Sequence, residues 1–234
     1  MDAEDRPPTP EPALNVPSIV LAIGALLLGI HAIVFELLAV EQQGRFLATF
    51  AFTDPGAWQR QGVEVGSRLW TVFTHAFLHA DWTHLGVNML WFVAFGSAVA
   101  RRFGTLRFLL FFLASSAAGA AAHWIAHPDS PALLVGASGA VAGCFGAATR
   151  FAMTGGFRFG LRDDVPALTL GETFSNPTAL AFIGMYLVLN VVFGSGFVPV
   201  AGQDVAIAWE AHVGGFAFGL LGFSLLDPVG SRAV

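Results

Sequence analysis

The chain has 234 residues, of which 55% are hydrophobic and only 12% are charged. A soluble domain carries about twice that charged fraction, so the composition indicates a membrane protein. The net charge of -5 is spread along the chain without a basic stripe, which argues against a nucleic-acid-binding surface, and the single cysteine excludes an intramolecular disulfide.

Six apolar stretches predict membrane-spanning helices, because a span needs roughly 20 mostly apolar residues. In chain order they cover residues 17–40, 83–101, 106–126, 137–153, 177–193 and 209–226. The acidic, proline-rich residues 1–16 predict a disordered tail, and residues 229–234 form a short C-terminal tail. The connection 41–82 mixes aromatic side chains with charges and turn residues, which indicates a segment in the membrane interface. The predicted fold class is an all-α bundle of six transmembrane helices with an interfacial first loop.

The positions of the arginines predict the orientation of this bundle, since basic residues accumulate in cytoplasmic loops. Arginines lie at or after the ends of the second and fourth spans, at Arg101, Arg102, Arg107, Arg150, Arg158 and Arg162. The loops after the third and fifth spans contain none. Both tails are therefore expected in the cytoplasm, and spans four and six are expected to start near the outer surface.

A serine and a histidine stand at the starts of these two spans. Ser138 follows Gly136 and Ala137 in span four, and His212 lies in span six. Ionisable groups at membrane depth are costly and indicate a functional site. A serine becomes a nucleophile when a base lies within hydrogen-bonding reach, and an apolar site keeps imidazole in the neutral form that can act as that base. The pair therefore predicts a catalytic dyad.

Glycines on the same two spans predict that the helices meet closely. Gly139 and Gly143 form a G-x-x-x-G pattern after Ser138, and Gly215 and Gly219 form another after His212. Small residues at this spacing let helix backbones approach each other. The packing face and the proposed dyad would then adjoin.

Acyl transfer also needs hydrogen-bond donors for the developing oxyanion. His84 and Asn88 lie four residues apart at the start of span two, on one helix face. With the backbone N–H of Ser138 they are candidate donors. Taken alone, such a buried pair is more typical of a hydrogen bond between packed helices.

Three motifs in this order resemble the signatures of the rhomboid intramembrane serine proteases: His84-Leu85-Gly86-Val87-Asn88, Gly136-Ala137-Ser138-Gly139, and Ala211-His212 with Gly215 and Gly219. The resemblance covers roughly residues 17–228 and implies the six-helix bacterial type in the inner membrane. It implies cleavage of transmembrane proteins within the lipid bilayer by a Ser–His dyad that uses no aspartate. In this scheme Ser138 is the nucleophile, His212 is the general base, and His84, Asn88 and the Ser138 amide form the oxyanion hole. We expect no cofactor, no metal and no nucleic-acid partner.

The chain departs from the family pattern at three positions. Thr71 stands where the family often has arginine, and Ala100 replaces a common glutamate. Ala142 stands where many members place an aromatic side chain that stacks on the catalytic histidine. The last change removes support from the imidazole but leaves every reacting group present.

Other polar residues are expected to be structural. The pairs His75/His79 and His123/His127 have helical spacing, but neither has a cysteine or carboxylate at ligand spacing, which argues against zinc. His75 and His79 are expected to form hydrogen bonds within the first loop. Asn190 is interpreted as forming a packing hydrogen bond.

Two other classes of protein remain as alternatives. One is a catalytically inactive rhomboid-like protein that binds or dislocates membrane clients. The other is a small transporter, for which broken helices and polar groups at the midplane are typical.

Overall fold

The computed structural model describes residues 16–56, 68–128, 130–152, 165–194 and 208–229. The described residues form helices and no strand; Phe52 and Leu134 make one isolated bridge. The α-helices are α1 Ser18–Ala32, α2 Val40–Phe50, α3 Thr71–Thr74, α4 Trp82–Trp91, α5 Ser97–Ala126, α6 Ser138–Phe151, α7 Leu170–Ser175, α8 Pro177–Gly194 and α9 Trp209–Gly222. Single π or 3-10 segments extend α1, α3, α4 and α9 over Ile33–Leu37, His75–Phe77, Phe92–Gly96 and Phe223–Leu225.

Helix is found in each of the six stretches predicted from the apolar pattern. Predicted spans two and three meet inside α5 at Gly104, where φ is 71° and ψ is 171°. Glycine adopts positive φ without the steric penalty of other residues, so the chain can turn there. Among the described residues, Ser18–Leu37 and Trp82–Ala126 are long and apolar enough to cross a membrane, and Pro177–Val192 is a shorter apolar helix.

Helix α6 occupies the centre of the molecule. Every residue from Gly139 to Phe151 is buried, mostly against α5 and α9. A helix that is apolar on all sides belongs in an interior, and α6 has this composition.

Glycines allow α5, α6 and α9 to touch through their backbones. A Cβ added at Gly215 would overlap the carbonyl oxygen of Gly139, and one at Gly219 would overlap that of Gly143. Gly119 on α5 is also in close contact, because its Cβ would lie 2.8 Å from the carbonyl oxygen of Ala211. The contact between spans four and six that the G-x-x-x-G patterns predict is present, and Gly119 extends it to a third helix.

Two buried arginines lie near the C-terminal end of α6. The Arg102 guanidinium donates two hydrogen bonds to Asp227, at 2.7 and 2.8 Å, and both side chains are almost fully buried. Arg150, at the end of α6, donates to the carbonyl oxygens of Leu168 and Leu220. Both arginines were expected to be loop residues, whereas the structure gives them internal partners.

Several predictions fall on residues outside the described ranges. They include residues 1–15 of the N-terminal tail, residues 230–234, and the loop arginines Arg158 and Arg162. None of the residues of α2, which forms the start of the first loop, is buried. The position of the first loop in a membrane interface stays a prediction.

Candidate active site

Ser138 is the first residue of α6, and the residues before it are held by the segment 75–79. The Gly136 N–H donates to the carbonyl oxygen of His75 at 3.0 Å. The Ala137 N–H donates to His79 Nε2 at 3.3 Å. Gly136 has φ of +126°, a conformation that favours glycine. Two hydrogen bonds to the segment 75–79 therefore hold the turn that leads into Ser138.

The two histidines that hold this turn are neutral. Burial lowers the pKa of His75 to about 4 and the pKa of His79 to about 3. Neutral His79 can accept the Ala137 N–H, which a protonated ring could not. His75 Nδ1 donates to the Thr71 carbonyl oxygen at 2.9 Å. The expected hydrogen bond within the first loop is present for His75, whereas His79 reaches across to the serine turn.

The His84 ring lies against Gly136, on the same side as the Ser138 hydroxyl. A Cβ at Gly136 would lie 2.9 Å from His84 Nε2 and 3.6 Å from Ser138 Oγ. The glycine therefore lets the His84 ring approach the turn before Ser138, which a side chain at position 136 would prevent. The carboxylate of Asp81 accepts the His84 backbone N–H at 2.8 Å and so fixes the start of α4.

Asn88 lies one turn further along α4 and is 5% exposed. Its Nδ2 donates to the His84 carbonyl oxygen at 2.9 Å. A carboxamide carries two N–H donors, so this bond leaves one for another acceptor. The bond runs along the same helix and not between two helices.

His212 lies in the first turn of α9 and is partly exposed. Its Nδ1 donates to Asn190 Oδ1 at 2.8 Å, and Asn190 Nδ2 donates to the Tyr186 carbonyl oxygen at 2.8 Å. An Nδ1–H bonded in this way leaves Nε2 as the unprotonated nitrogen of the neutral ring. Asn190 was interpreted as a packing hydrogen bond, and the structure shows that this bond joins α8 to the candidate base on α9. A polar amide in an apolar helix was the signal for this role.

The helix ends that carry Ser138 and His212 lie against each other. Gly139 follows the serine and Ala211 precedes the histidine, and a Cβ at Gly139 would lie 3.5 Å from the Ala211 carbonyl oxygen. Ser138, His84 and His212 are each partly exposed. Ala142 is buried and offers no ring to the imidazole. Aromatic rings meet nearby instead, where Tyr186 stacks on Phe216 at 4.6 Å between centroids.

A second polar group joins α5 to α9. His123, His127 and Glu210 each offer one potential metal ligand, and these atoms lie within 4.8 Å of one another. Sequence spacing indicated no carboxylate ligand for this pair, but the fold brings Glu210 beside it. Glu210 is 83 residues from His127 in the chain, so no local spacing could reveal it.

Comparison with known proteins identifies the class to which this helical bundle belongs. Residues 66–227 match the family model of the rhomboid domain. The chain is 30% identical over 172 residues to RHOMBOID-like protein 5 of Arabidopsis thaliana, covering 73% of this chain and 48% of that protein. It is 41% identical over 78 residues to Rhomboid protease GluP of Bacillus subtilis, covering 33% of this chain and 15% of that one. The putative rhomboid protease YdcA of the same species is 38% identical over 77 residues, which is 33% of this chain and 38% of that one.

The chain belongs to the rhomboid family, as its motifs indicate. It is therefore an integral membrane protein of a family that includes both proteases and rhomboid-like proteins. The chain spans about half the length of the first of these relatives and a smaller share of the other two.

Proposed function

We propose that this chain is an intramembrane serine endopeptidase that cleaves transmembrane segments of membrane proteins with a Ser138–His212 dyad. The observation that carries the proposal is the Asn190 contact. It holds His212 with Nδ1 protonated and Nε2 available as a base, on a helix end packed against the start of α6. An unprotonated ring nitrogen on a helix packed against that of the serine is one of the requirements for activating it.

In the proposed mechanism Ser138 Oγ attacks the scissile carbonyl carbon while His212 Nε2 accepts the hydroxyl proton. The tetrahedral oxyanion receives hydrogen bonds from the Ser138 N–H, His84 Nε2–H and Asn88 Nδ2–H. The C–N bond then breaks, and His212 gives its proton to the leaving amine. Water attacks the acyl-enzyme with His212 again as base, which releases the carboxyl product and restores the serine.

Asn190 supplies support that this chain lacks elsewhere. Ala142 provides no aromatic ring, and no aspartate is proposed to orient the imidazole. The Asn190 oxygen fixes the ring orientation and favours the imidazolium that forms when the serine proton is transferred, since hydrogen bonds to charged groups are stronger than neutral ones. The Asn190–Tyr186 bond holds the carboxamide in the orientation that this requires.

The proposal includes the membrane arrangement. Six helices cross a bacterial inner membrane with both tails in the cytoplasm, so that the starts of α6 and α9 lie near the outer side. The partial exposure of Ser138, His84 and His212 is consistent with access for the water that hydrolysis consumes. Polar groups at membrane depth are tolerated where they line a wet cavity.

A second candidate is an inactive rhomboid-like protein, which the name of the Arabidopsis relative and the absent ring at Ala142 favour. A serine-directed fluorophosphonate probe and a model transmembrane substrate separate the two. Wild type is expected to be labelled and to cleave the substrate, whereas Ser138→Ala should do neither and His212→Ala should not cleave. Ser175→Ala, which removes an exposed serine, is the matched control.

The result that would reject the protease proposal is a folded wild type that neither reacts with the probe nor cleaves the substrate. Cleavage that survives in Ser138→Ala would reject the dyad itself. Thermal unfolding of each variant checks that the fold is retained.

A further inference from the structure

The cluster at the end of α5 has the composition of a metal site. His123 and His127 lie one helical turn apart, and Glu210 projects towards them from the first turn of α9. His127 Nε2 lies 2.8 Å from one carboxylate oxygen of Glu210, and His123 Nδ1 lies 3.8 Å from the other. Both carboxylate oxygens thus face an imidazole nitrogen.

One of these two imidazole nitrogens, His123 Nδ1, is buried without a hydrogen-bond partner among the described residues. At 3.8 Å its contact with Glu210 is too long for a hydrogen bond. Leaving a buried polar atom unpaired is unfavourable. A cation placed between the three side chains would give that nitrogen a partner.

We propose that His123, His127 and Glu210 form a Zn²⁺ site that joins the end of α5 to the start of α9. Two imidazoles and one carboxylate match the ligands that Zn²⁺ takes, and sites with three protein ligands complete the tetrahedron with water. Magnesium and calcium prefer oxygen ligands and fit this donor set poorly.

Small movements bring the ligands to coordination distance. Zn–N and Zn–O bonds of about 2.0–2.1 Å place tetrahedral ligand atoms roughly 3.4 Å apart, compared with a limit of 4.8 Å here. The His127 side chain is 48% exposed and has room to rotate. On binding, the proton between His127 Nε2 and Glu210 moves to Nδ1 of the same ring or to water, because the metal needs the free electron pair.

The site would fix the part of α9 that carries His212. Glu210 precedes His212 by two residues, and the Ala211 carbonyl between them already packs on Gly119 of α5. A bound ion would therefore fasten the first turn of α9 to α5 at a second point. Zinc binding itself does not depend on whether the protein is a protease.

Titration of the whole chain tests the proposal. The protein is prepared in lipid nanodiscs, freed of any histidine tag, stripped with chelator and titrated with ZnCl₂, and metal content and thermal unfolding are measured. We expect one Zn²⁺ per chain and a Tm that rises by about 5–10 °C at 100 times the Kd, with no rise for Mg²⁺. His127→Gln and Glu210→Gln are each expected to weaken Zn²⁺ binding by more than tenfold.

Glu41→Gln is the matched control, because it removes a carboxylate that is 77% exposed and far from the cluster in the chain. This variant should bind Zn²⁺ as wild type does. Failure of wild type to retain Zn²⁺ would overturn the proposal. Equal binding by Glu210→Gln and wild type would show an adventitious ion only. If Glu210→Gln does not fold, the exposed His127→Gln variant decides the same question.

Discussion

The glycine contact between α6 and α9 makes a prediction that links packing to catalysis. Gly215→Ala would place a methyl group into the carbonyl of Gly139 and 3.0 Å from its Cα. An ordinary contact at that Cα is 3.4–4 Å, and the obstacle is backbone, which cannot rotate aside. The two helices must therefore separate by an amount on the order of 1 Å, next to the proposed dyad.

The expected effects on stability and activity differ in size. Overpacking of this kind typically costs about 1–3 kcal/mol, while replacing a helical glycine by alanine returns up to about 1 kcal/mol. The fold should survive with a modest loss of stability. Misplacing catalytic groups by about 1 Å can cost on the order of 10²-fold in rate, so cleavage should fall far more than stability.

Gly184→Ala is the matched control, since a Cβ at this exposed α8 glycine meets nothing within 4 Å. We expect it to cleave a model transmembrane substrate at the wild-type rate and to melt at the same temperature or slightly higher. Both variants are assayed for cleavage and thermal unfolding in the same nanodiscs. Wild-type cleavage by Gly215→Ala would refute the argument that this contact sets the dyad geometry.

Three further predictions concern particular side chains. Asn190→Leu should lower kcat by roughly 10–150-fold with little change in KM, because it removes a hydrogen bond of about 1.5–3 kcal/mol to the imidazolium. Asn190→Asp keeps an acceptor and should retain more activity than Asn190→Leu. Equal kcat in Asn190→Leu and wild type would exclude the positioning role. Arg102→Gln should lower the free energy of unfolding by about 3–5 kcal/mol, because it leaves Asp227 buried without its ion pair. The double variant with Asp227→Asn should recover part of that loss. A loss under 1 kcal/mol in Arg102→Gln would contradict the pairing. As the pH falls from 6.5 to 5, the free energy of unfolding should decrease by roughly 2 kcal/mol through His75. The reason is that the pKa of His75 in the folded protein, about 4, lies below the ordinary 6.5, so the unfolded chain takes up the proton first. His75→Gln should make the Tm depend less on pH in this range, and an unchanged dependence would contradict this.

Local patterns in the sequence predicted the helices and the motifs well. The apolar stretches and the helices agree because both reflect burial in an apolar phase. The predicted boundary between spans two and three also lies within a few residues of the turn at Gly104. The G-x-x-x-G patterns predicted a contact because glycine spacing on one helix face is a local property. The rhomboid motifs identified the family for the same reason, since each is a short run of adjacent residues.

The partners of polar side chains could not be predicted in this way. Asn190 and His212 are 22 residues apart, and His127 and Glu210 are 83 apart. Arg102 and Asp227 are 125 apart, so positive charge near a span end was interpreted as a loop marker. Each of these pairs forms only because helices distant in the chain pack side by side.

The same close packing accounts for both the stability of the centre and the chemistry proposed for it. Helix association in a membrane gains little from hydrophobic burial, so it depends on backbone contact through small residues and on internal hydrogen bonds. Gly139 and Gly215 provide the contact, and Asn190 and His212 provide a hydrogen bond across α8 and α9. Because the glycines stand directly beside Ser138 and close to His212, the contact that joins the helices also sets the separation of the proposed reacting groups. A looser interface would therefore lose catalysis before it lost the fold.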